Sequence, residues 1–448
     1  MKSRTPKGPD KSMRDYFAEY NKKVISIDEA IEKVESDMTV VVGQVSVPDG
    51  LLDKLHTIAH RVNNVKVFFT ITVKPYEFFM NPAMQGHFEL CSYFHGPATR
   101  EALKYKSGNI FYQPNLLHAI ATDHVMTRKT NIFFGSCSPP DAHGFVSLGL
   151  SVVYEKTTIE NADMVILEVS ENNPRIFGDA EIHIDDVDFF VKNNHMPPII
   201  PDAFPPYEDD LSIGQHIAEL IDDGSTIQLG IGNIPNAVGK CLFGKRDLGI
   251  HTEMLTDSMM ELYEAGVVTN CKKSLIKGKT VCAFAFGTQK LYDWANDNVS
   301  VLFLRGEWVN DPTVVRRNSK MVSINTCMMV DLTGQVFSEG IGTSQFSGTG
   351  GQFDFAMGAR EAYDKMGKSI IACRSTAKGG TKSTIISVPP TGTPVTLHRG
   401  ITDYVVTEYG VARLRGKTVK ERAQCLIAIA HPDFREQLIE EAGKCGFI

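Results

Sequence analysis

No apolar run in this chain approaches the roughly 20 consecutive residues that a membrane-spanning helix needs, so no membrane partner is expected. The early basic residues Lys2, Arg4, Lys7, Lys11 and Arg14 are not followed by the apolar stretch that makes a secretory signal. A basic excess is missing too. The net charge is -7 and the pI near 6.0, which leaves no electrostatic footprint for nucleic acid. Cysteine pairing is also lacking: nine cysteines, at positions 91, 137, 241, 271, 282, 327, 373, 425 and 445, include no CxxC pair. An odd, scattered set suits buried thiols in a reducing cytoplasm better than a disulfide frame or a zinc site.

What is present is an ordinary globular composition, 22% charged and 42% hydrophobic, in a chain of 448 residues. That length is too great for one core and implies two or three domains, two being the expected count. The pattern predicts a helix from Asp28 to Ser36, a strand from Met38 to Val42 closed by Gly43, a helix from Pro48 to Arg61 and a strand from Val65 to Val73. Strand, glycine turn, helix, strand is the signature of a mostly parallel α/β sheet. A terminal amphipathic helix is expected over His431 to Gly443, opened by Pro432 and Asp433.

The same grammar returns in the second half. Asp37 to Leu55 aligns without gaps on Gly224 to Leu242, matching Thr39 with Thr226, Gly43 with Gly230 and Pro48 with Pro235. Asp141-Ala-His-Gly144 matches Asp331-Leu-Thr-Gly334, and ADMVILE (Ala162 to Glu168) is set against TDYVVTE (Thr402 to Glu408). Three anchors in one order imply an internal duplication: two related, mostly parallel α/β domains, 1–204 and 205–448. The proline-rich MPPIIPDAFPP, Met196 to Pro206, is the expected junction, because proline removes donors and blocks helix continuation.

The halves differ at one position. The second half reads GIGNIPNAVGKCLFGKRDLGIHTE, with a glycine turn, a helix and an apolar strand expected to end on Glu253. Thr70 stands at about that place in the first half. A carboxylate at the carboxyl end of a buried strand, beside free backbone amides, is where α/β proteins place chemistry. Glu253 is therefore the candidate nucleophile, able to attack a thioester carbonyl without a metal, and the turn Gly230, Ile231, Gly232, Asn233 its oxyanion hole. A dinucleotide fingerprint with Glu253 on a ribose remains the competing reading, although Pro235 replaces its third glycine. Gly350 and Gly351, in GTSQFSGTGGQFDF, form a second amide-rich turn. Arg374, Lys378 and Lys382 make a basic loop suited to phosphates or merely to solvent. His56 and His60 have a zinc-compatible spacing without a third ligand, and no metal is expected. Glu339 and Asp354 receive no role.

These stretches together resemble family I coenzyme A transferases, and within them the acetyl-CoA hydrolase/transferase branch that acts on 4-hydroxybutyrate, butyrate and acetate. QLGIGNIPNAV, LGIHTEM, SINTCMMVDLTGQV, QFSGTGGQFDF, VVTEYGVARLRGK and AIAHPDF carry the likeness, which runs from about Val24 to Phe434. The resemblance implies a ping-pong CoA-transferase in which Glu253 carries coenzyme A as a thioester. It implies that Gly230 to Asn233 and Gly350–Gly351 hold the thioester oxygen, that Asn310 and Glu408 line the acyl pocket, and that Lys378 lies near the coenzyme A tail. Coenzyme A is then a substrate, no cofactor is permanently bound, and a homodimer or dimer of dimers is implied. An acyl-CoA hydrolase is the near alternative. Departures from the family's wording, at Asp257-Ser258, Glu261 to Gly266, Phe284 and Phe286, bear on the acyl pocket and leave the acid open.

Overall fold

A computed structural model describes residues 14–104, 108–200 and 206–448. The chain forms two compact units, which change over between Ile199 and Ile200 inside the proline-rich junction. The expected boundary near residue 205 falls on Pro201–Pro205, outside the described residues. Two segments are exchanged besides: Tyr292–Glu307 belongs with the first unit and Pro114–His118 with the second.

The first unit is built on an eight-stranded sheet. Its strands run in the order Val24–Ile25, Phe189–Lys192, Met164–Val169, Ile132–Cys137, Thr39–Val42, Val65–Phe68, Phe88–Ser92 and Ile110–Tyr112. Every pairing is parallel. Ile132–Cys137 is buried at each residue, as a strand covered on both faces must be. Val40, Val42, Val65, Val67, Leu51, Leu55, Phe78 and Phe79 form part of one continuous core.

Local sequence explains the elements. Ser26 accepts from the Glu29 amide at 3.2 Å while Glu29 accepts from the Ser26 amide at 2.8 Å, a capping box that starts the helix Ile27–Ile31. The helix expected over Pro48 to Arg61 is Asp49–Lys54 followed by a 3-10 turn at Leu55–Ile58. The strand expected to reach Val73 stops at Phe68, and Ile71 takes a φ of 52°, which no strand accommodates. The terminal helix is Pro432–Lys444.

In the second unit the parallel strands run Thr280–Ala285, Gly249–Leu255, Thr226–Leu229, Met321–Thr326, Lys368–Ala372 and Tyr404–Thr407, with Gly410–Arg413 antiparallel at the edge. Centred on Thr39–Val42 and Thr226–Leu229, the two sheets have one order except at one edge, where the parallel Val24–Ile25 of the first faces the antiparallel Gly410–Arg413 of the second. The glycine turns match as well: the Gly43 amide donates to Phe134 O at 2.8 Å and the Gly230 amide to Ile324 O at 3.0 Å. The aspartate turns match in detail. Asp141 accepts from the amides of His143 and Phe145 at 2.8 and 2.9 Å, and Asp331 from those of Thr333 and Gln335 at 2.9 and 3.0 Å. Each ends on a glycine with positive φ, Gly144 at 81° and Gly334 at 96°.

The third sequence anchor needs correction. Sheet order sets Tyr404–Thr407 against Phe189–Lys192, and Met164–Val169 against Lys368–Ala372. An apolar strand ending in an acid recurs too easily to identify one position by itself.

Candidate active site

Continuing the register Thr226↔Gly249 and Ile227↔Ile250 brings Glu253 level with Gly230 on the neighbouring strand. The register Leu229↔Ile324 does the same for Asn325 on the other side. The first unit obeys the same geometry: Thr39↔Lys66 and Val41↔Phe68 continue to Gly43 level with Thr70. Thr70 thus holds Glu253's place. Contrary to the sequence expectation, the strand does not end on Glu253 but runs on to Leu255. Glu253 is therefore fixed by sheet backbone on both sides and is half-buried.

Side chains alternate along a strand, so His251 shares a face with Glu253. His251 is fully buried, and burial, then the charge of Lys273, holds its pKa down to about 3. The neutral ring donates through Nε2 to Val309 O at 2.8 Å, pinning the backbone next to Asn310. Asp311 fixes the other side by capping the helix Pro312–Val315, accepting from the Thr313 amide at 2.7 Å. Held between these two bonds, Asn310 is fully buried and donates Nδ2–H to Glu253 Oε2 at 2.7 Å.

Gly351 closes the third side. It precedes the helix Gln352–Arg360, and its backbone lies against the Glu253 carboxylate. A Cβ there would lie 1.8 Å from Glu253 Oε2 and 2.2 Å from Asn310 Nδ2, so any other residue must displace one of them. Gly350, at φ 55°, makes the left-handed step before it, and its carbonyl accepts from the Leu117 amide at 3.2 Å. Burial pushes the Glu253 carboxyl up to about 7; the Asn310 bond opposes this and the charge of Asp354 adds to it. A carboxylate raised to that range is poised near neutral pH instead of fully solvated.

Two residues on this network were not found by sequence. Asp354, fully buried in the first turn after Gly351, accepts from His118 Nδ1 at 2.8 Å and from the His118 amide at 3.1 Å. Burial raises its pKa, against the bonds and charge of His118. The signal for Asp354 was an acid three places beyond Gly351 between two phenylalanines, a position a helix buries. His118 carried none, since 236 residues separate it from its partner.

The other expected residues are distributed unevenly. The Gly230 amide is taken by Ile324 O, so Gly230 shapes the turn and is not a free donor, contrary to its expected place in the oxyanion hole. Gly232 has φ 111°, with nothing within 4 Å of an added Cβ. Among the described residues, none accepts a hydrogen bond from the amides of Ile231, Gly232 or Asn233. Glu408 accepts from the Ser375 amide at 2.9 Å and from the Ser375 hydroxyl, and no bond joins it to Glu253. Lys378 is exposed at a hairpin tip, at φ 52°, with Lys382 exposed nearby. Arg374 is not available to phosphates as the basic loop suggested: it forms two bonds to buried Asp210, at 2.8 and 2.7 Å.

Residues 9–201 match the model of the acetyl-CoA hydrolase/transferase N-terminal domain and residues 287–442 that of the C-terminal domain, with Glu253 on the stretch between. The chain is 42% identical to the 4-hydroxybutyrate coenzyme A transferase of Clostridium kluyveri, over 95% of this chain and 98% of that one. It is 38% identical to the succinyl-CoA:cyclohexane-1-carboxylate CoA transferase of Geobacter metallireducens, over 96% and 97%. The crystal structure of RipA from Yersinia pestis superposes with a TM-score of 0.92 at 34% identity, covering 97% of this chain and 100% of that one.

Proposed function

Because the chain belongs to the acetyl-CoA hydrolase/transferase family, we propose that it is a CoA-transferase that moves coenzyme A from a short-chain acyl-CoA to a small carboxylate through a thioester on Glu253. One observation carries the mechanism: the Glu253 carboxylate accepts from the Asn310 side-chain N–H at 2.7 Å and lies directly against the Gly351 backbone, where a Cβ would fall 1.8 Å from its Oε2.

Glu253 attacks the thioester carbonyl and expels the coenzyme A thiolate, leaving a mixed anhydride. The thiolate then attacks the glutamyl carbonyl. That step releases the first acid as its carboxylate and leaves glutamyl-CoA. The second acid attacks glutamyl-CoA in turn, giving a new anhydride and thiolate, and attack on the new acyl carbon regenerates Glu253. In the middle steps the negative charge develops on Glu253's own oxygen, so the donors from Asn310 and Gly351 serve there as the oxyanion hole. The amides of Ile231, Gly232 and Asn233 are proposed for the oxygen of the substrate thioester. One such donor contributes about 2.7–4 kcal/mol where this has been measured.

Glu408 is assigned to the acyl pocket and Lys378 to the coenzyme A tail on the resemblance. Domains 1–204 and 205–448, a homodimer and a cytoplasmic setting complete the reading, the last supported by nine thiols that are all unpaired. Relatives named for a hydroxy acid and for a cyclohexane carboxylate leave acetate, butyrate and 4-hydroxybutyrate all open as acceptors. Their discrimination is worth roughly 1–3 kcal/mol and rests on pocket shape.

The hydrolase alternative needs only that water reach glutamyl-CoA. Butyryl-CoA with labelled acetate separates the two: label appearing in acetyl-CoA supports the transferase, while free coenzyme A with unlabelled product establishes the hydrolase.

A further inference from the structure

Glu253, Gly230 and Asn325 stand level on three neighbouring parallel strands, so their side-chain positions share one face of the sheet, and all three are half-buried. The row two residues back along each strand is His251, Gln228 and Ser323, and every member of it is buried. That lower row ties Asn325 down. Gln228 Nε2 donates to Asn325 Oδ1 at 3.1 Å, Asn325 Nδ2 donates to Gln228 Oε1 at 3.2 Å and to Ser323 Oγ at 3.0 Å, and Ser323 Oγ donates to Gln228 Oε1 at 2.9 Å. Both N–H bonds of the Asn325 amide are thereby used, while Oδ1 keeps a second lone pair.

The middle place of the upper row is empty, and the fold does not require it to be. Gly230 lies outside the left-handed φ range. An added Cβ would meet Asn325 Oδ1 at 3.6 Å, Ile324 O at 3.6 Å and Asn325 Cα at 3.9 Å, all ordinary van der Waals contacts. Gly351 is different, because Glu253 and Asn310 leave a Cβ no room there. Gly230 therefore leaves a slot that alanine could fill, flanked by Glu253 on one side and by the Asn325 oxygen on the other.

We propose that the slot over Gly230 is a substrate subsite, in which Asn325 Oδ1 accepts a hydrogen bond from a hydroxyl or amide N–H carried by the substrate near the carbon under attack. The assignment rests on the transferase reading above. A carbonyl in reach of Glu253 has the space over Gly230 beside it, and a group extending from that carbonyl along the sheet edge meets Asn325 as its acceptor. Two sources supply such a donor: the hydroxyl of a hydroxy acid, and the amide N–H nearest the sulfur in the coenzyme A arm.

The test uses the full-length protein, butyryl-CoA or acetyl-CoA as donor, and butyrate and 4-hydroxybutyrate in turn as acceptors, reading kcat, KM for each substrate and melting temperature. Gly230→Ala should hold or gain melting temperature, as alanine does at a compatible backbone position, while transfer to 4-hydroxybutyrate falls on the order of 10²-fold, the scale of a small misplacement in a reacting site. Asn325→Leu should lower kcat/KM for 4-hydroxybutyrate by about tenfold, the worth of one hydrogen bond. The second acid tells the sources apart. If the acid's hydroxyl is the donor, butyrate is used by both variants as by the wild type; if the coenzyme A arm is, both acids lose alike and the KM for acyl-CoA rises. The proposal is overturned if either variant uses 4-hydroxybutyrate as the wild type does. It is equally overturned if Gly230→Ala melts several degrees lower, since the glycine then serves the fold, or if Asn325→Leu lowers kcat alike for both acids with every KM unchanged, as disturbed packing would. A wild type that transfers coenzyme A to neither acid refutes the transferase reading and this subsite with it. A competent wild type beside unaffected variants refutes the subsite alone.

Discussion

Apart from one outer strand, the two sheets share strand order, register and turn chemistry, yet their carboxyl edges are filled in opposite ways. In the first unit the Gln44 amide, one residue beyond Gly43, donates to the buried Glu155 carboxylate at 2.8 Å, which also accepts from the Ser151 hydroxyl at 2.9 Å and the Tyr154 amide at 3.0 Å. Glu168, level with Ser136, accepts from the amides of Gly50 and Leu51 at 3.2 and 3.0 Å and from Asn193 at 2.7 Å. The corresponding positions in the second unit are Ile231, whose amide has no acceptor among the described residues, and Ala372, level with Thr326. Where the first unit has Thr70, the second has Glu253. One scaffold closes its donors with its own acids; the other leaves donors open and sets a single acid among them. Backbone amides at a sheet edge become catalytic only when the chain does not neutralise them itself.

Removing the acid should break that contrast most severely. Glu253→Gln is expected to lower transfer by about 10⁴-fold or more in a steady-state assay, as loss of a nucleophile does. Next in size is Gly351→Ala, whose methyl must displace the Glu253 carboxylate. A fall in kcat on the order of 10²-fold with a stability loss of about 1–3 kcal/mol from overpacking should appear in kinetics and urea melts.

The raised Glu253 pKa sharpens the comparison from the side of stability. Folding that lifts a carboxyl from 4.5 to about 7 means that the native state binds more protons than the unfolded one between those values. Stability contributed by this group therefore falls as pH rises through that window and levels off above it. Glu253→Gln lacks this loss. The variant should gain on the wild type from pH 4.5 to 7, by up to about 3 kcal/mol at the plateau, read as a growing difference in urea midpoint. A difference that shrinks with pH would contradict the assignment. The smallest effect on catalysis belongs to the first unit. Glu155→Ala should cost about 1–3 kcal/mol by orphaning buried donors yet leave turnover per folded molecule unchanged.

Much of this was legible in the chain and some was not, for a physical reason. GIGN and HTEM stand one βα unit apart, and adjacent parallel strands of known polarity must bring them to one edge, so Glu253 and its turn followed from local pattern. Thr70 as its counterpart followed from the repeat. Gly230 was misjudged as a donor because a sequence does not say which glycine amide the sheet itself consumes. Arg374 read as free for phosphate because its partner, Asp210, lies on a distant helix. His118 and Asp354 could not be paired, since what joins them is the folding of Pro114–His118 into the second unit, an exchange no periodicity announces.

The central claim is that coenzyme A rides on Glu253. Incubating the protein with butyryl-CoA, omitting any acceptor acid, reducing with borohydride and sequencing the peptide around LGIHTEM by mass spectrometry tests it directly. A glutamyl side chain reduced to the alcohol at Glu253, and only after acyl-CoA has been added, is the predicted result. An unmodified Glu253 in a preparation that transfers coenzyme A, or the same modification on another acid, would contradict it.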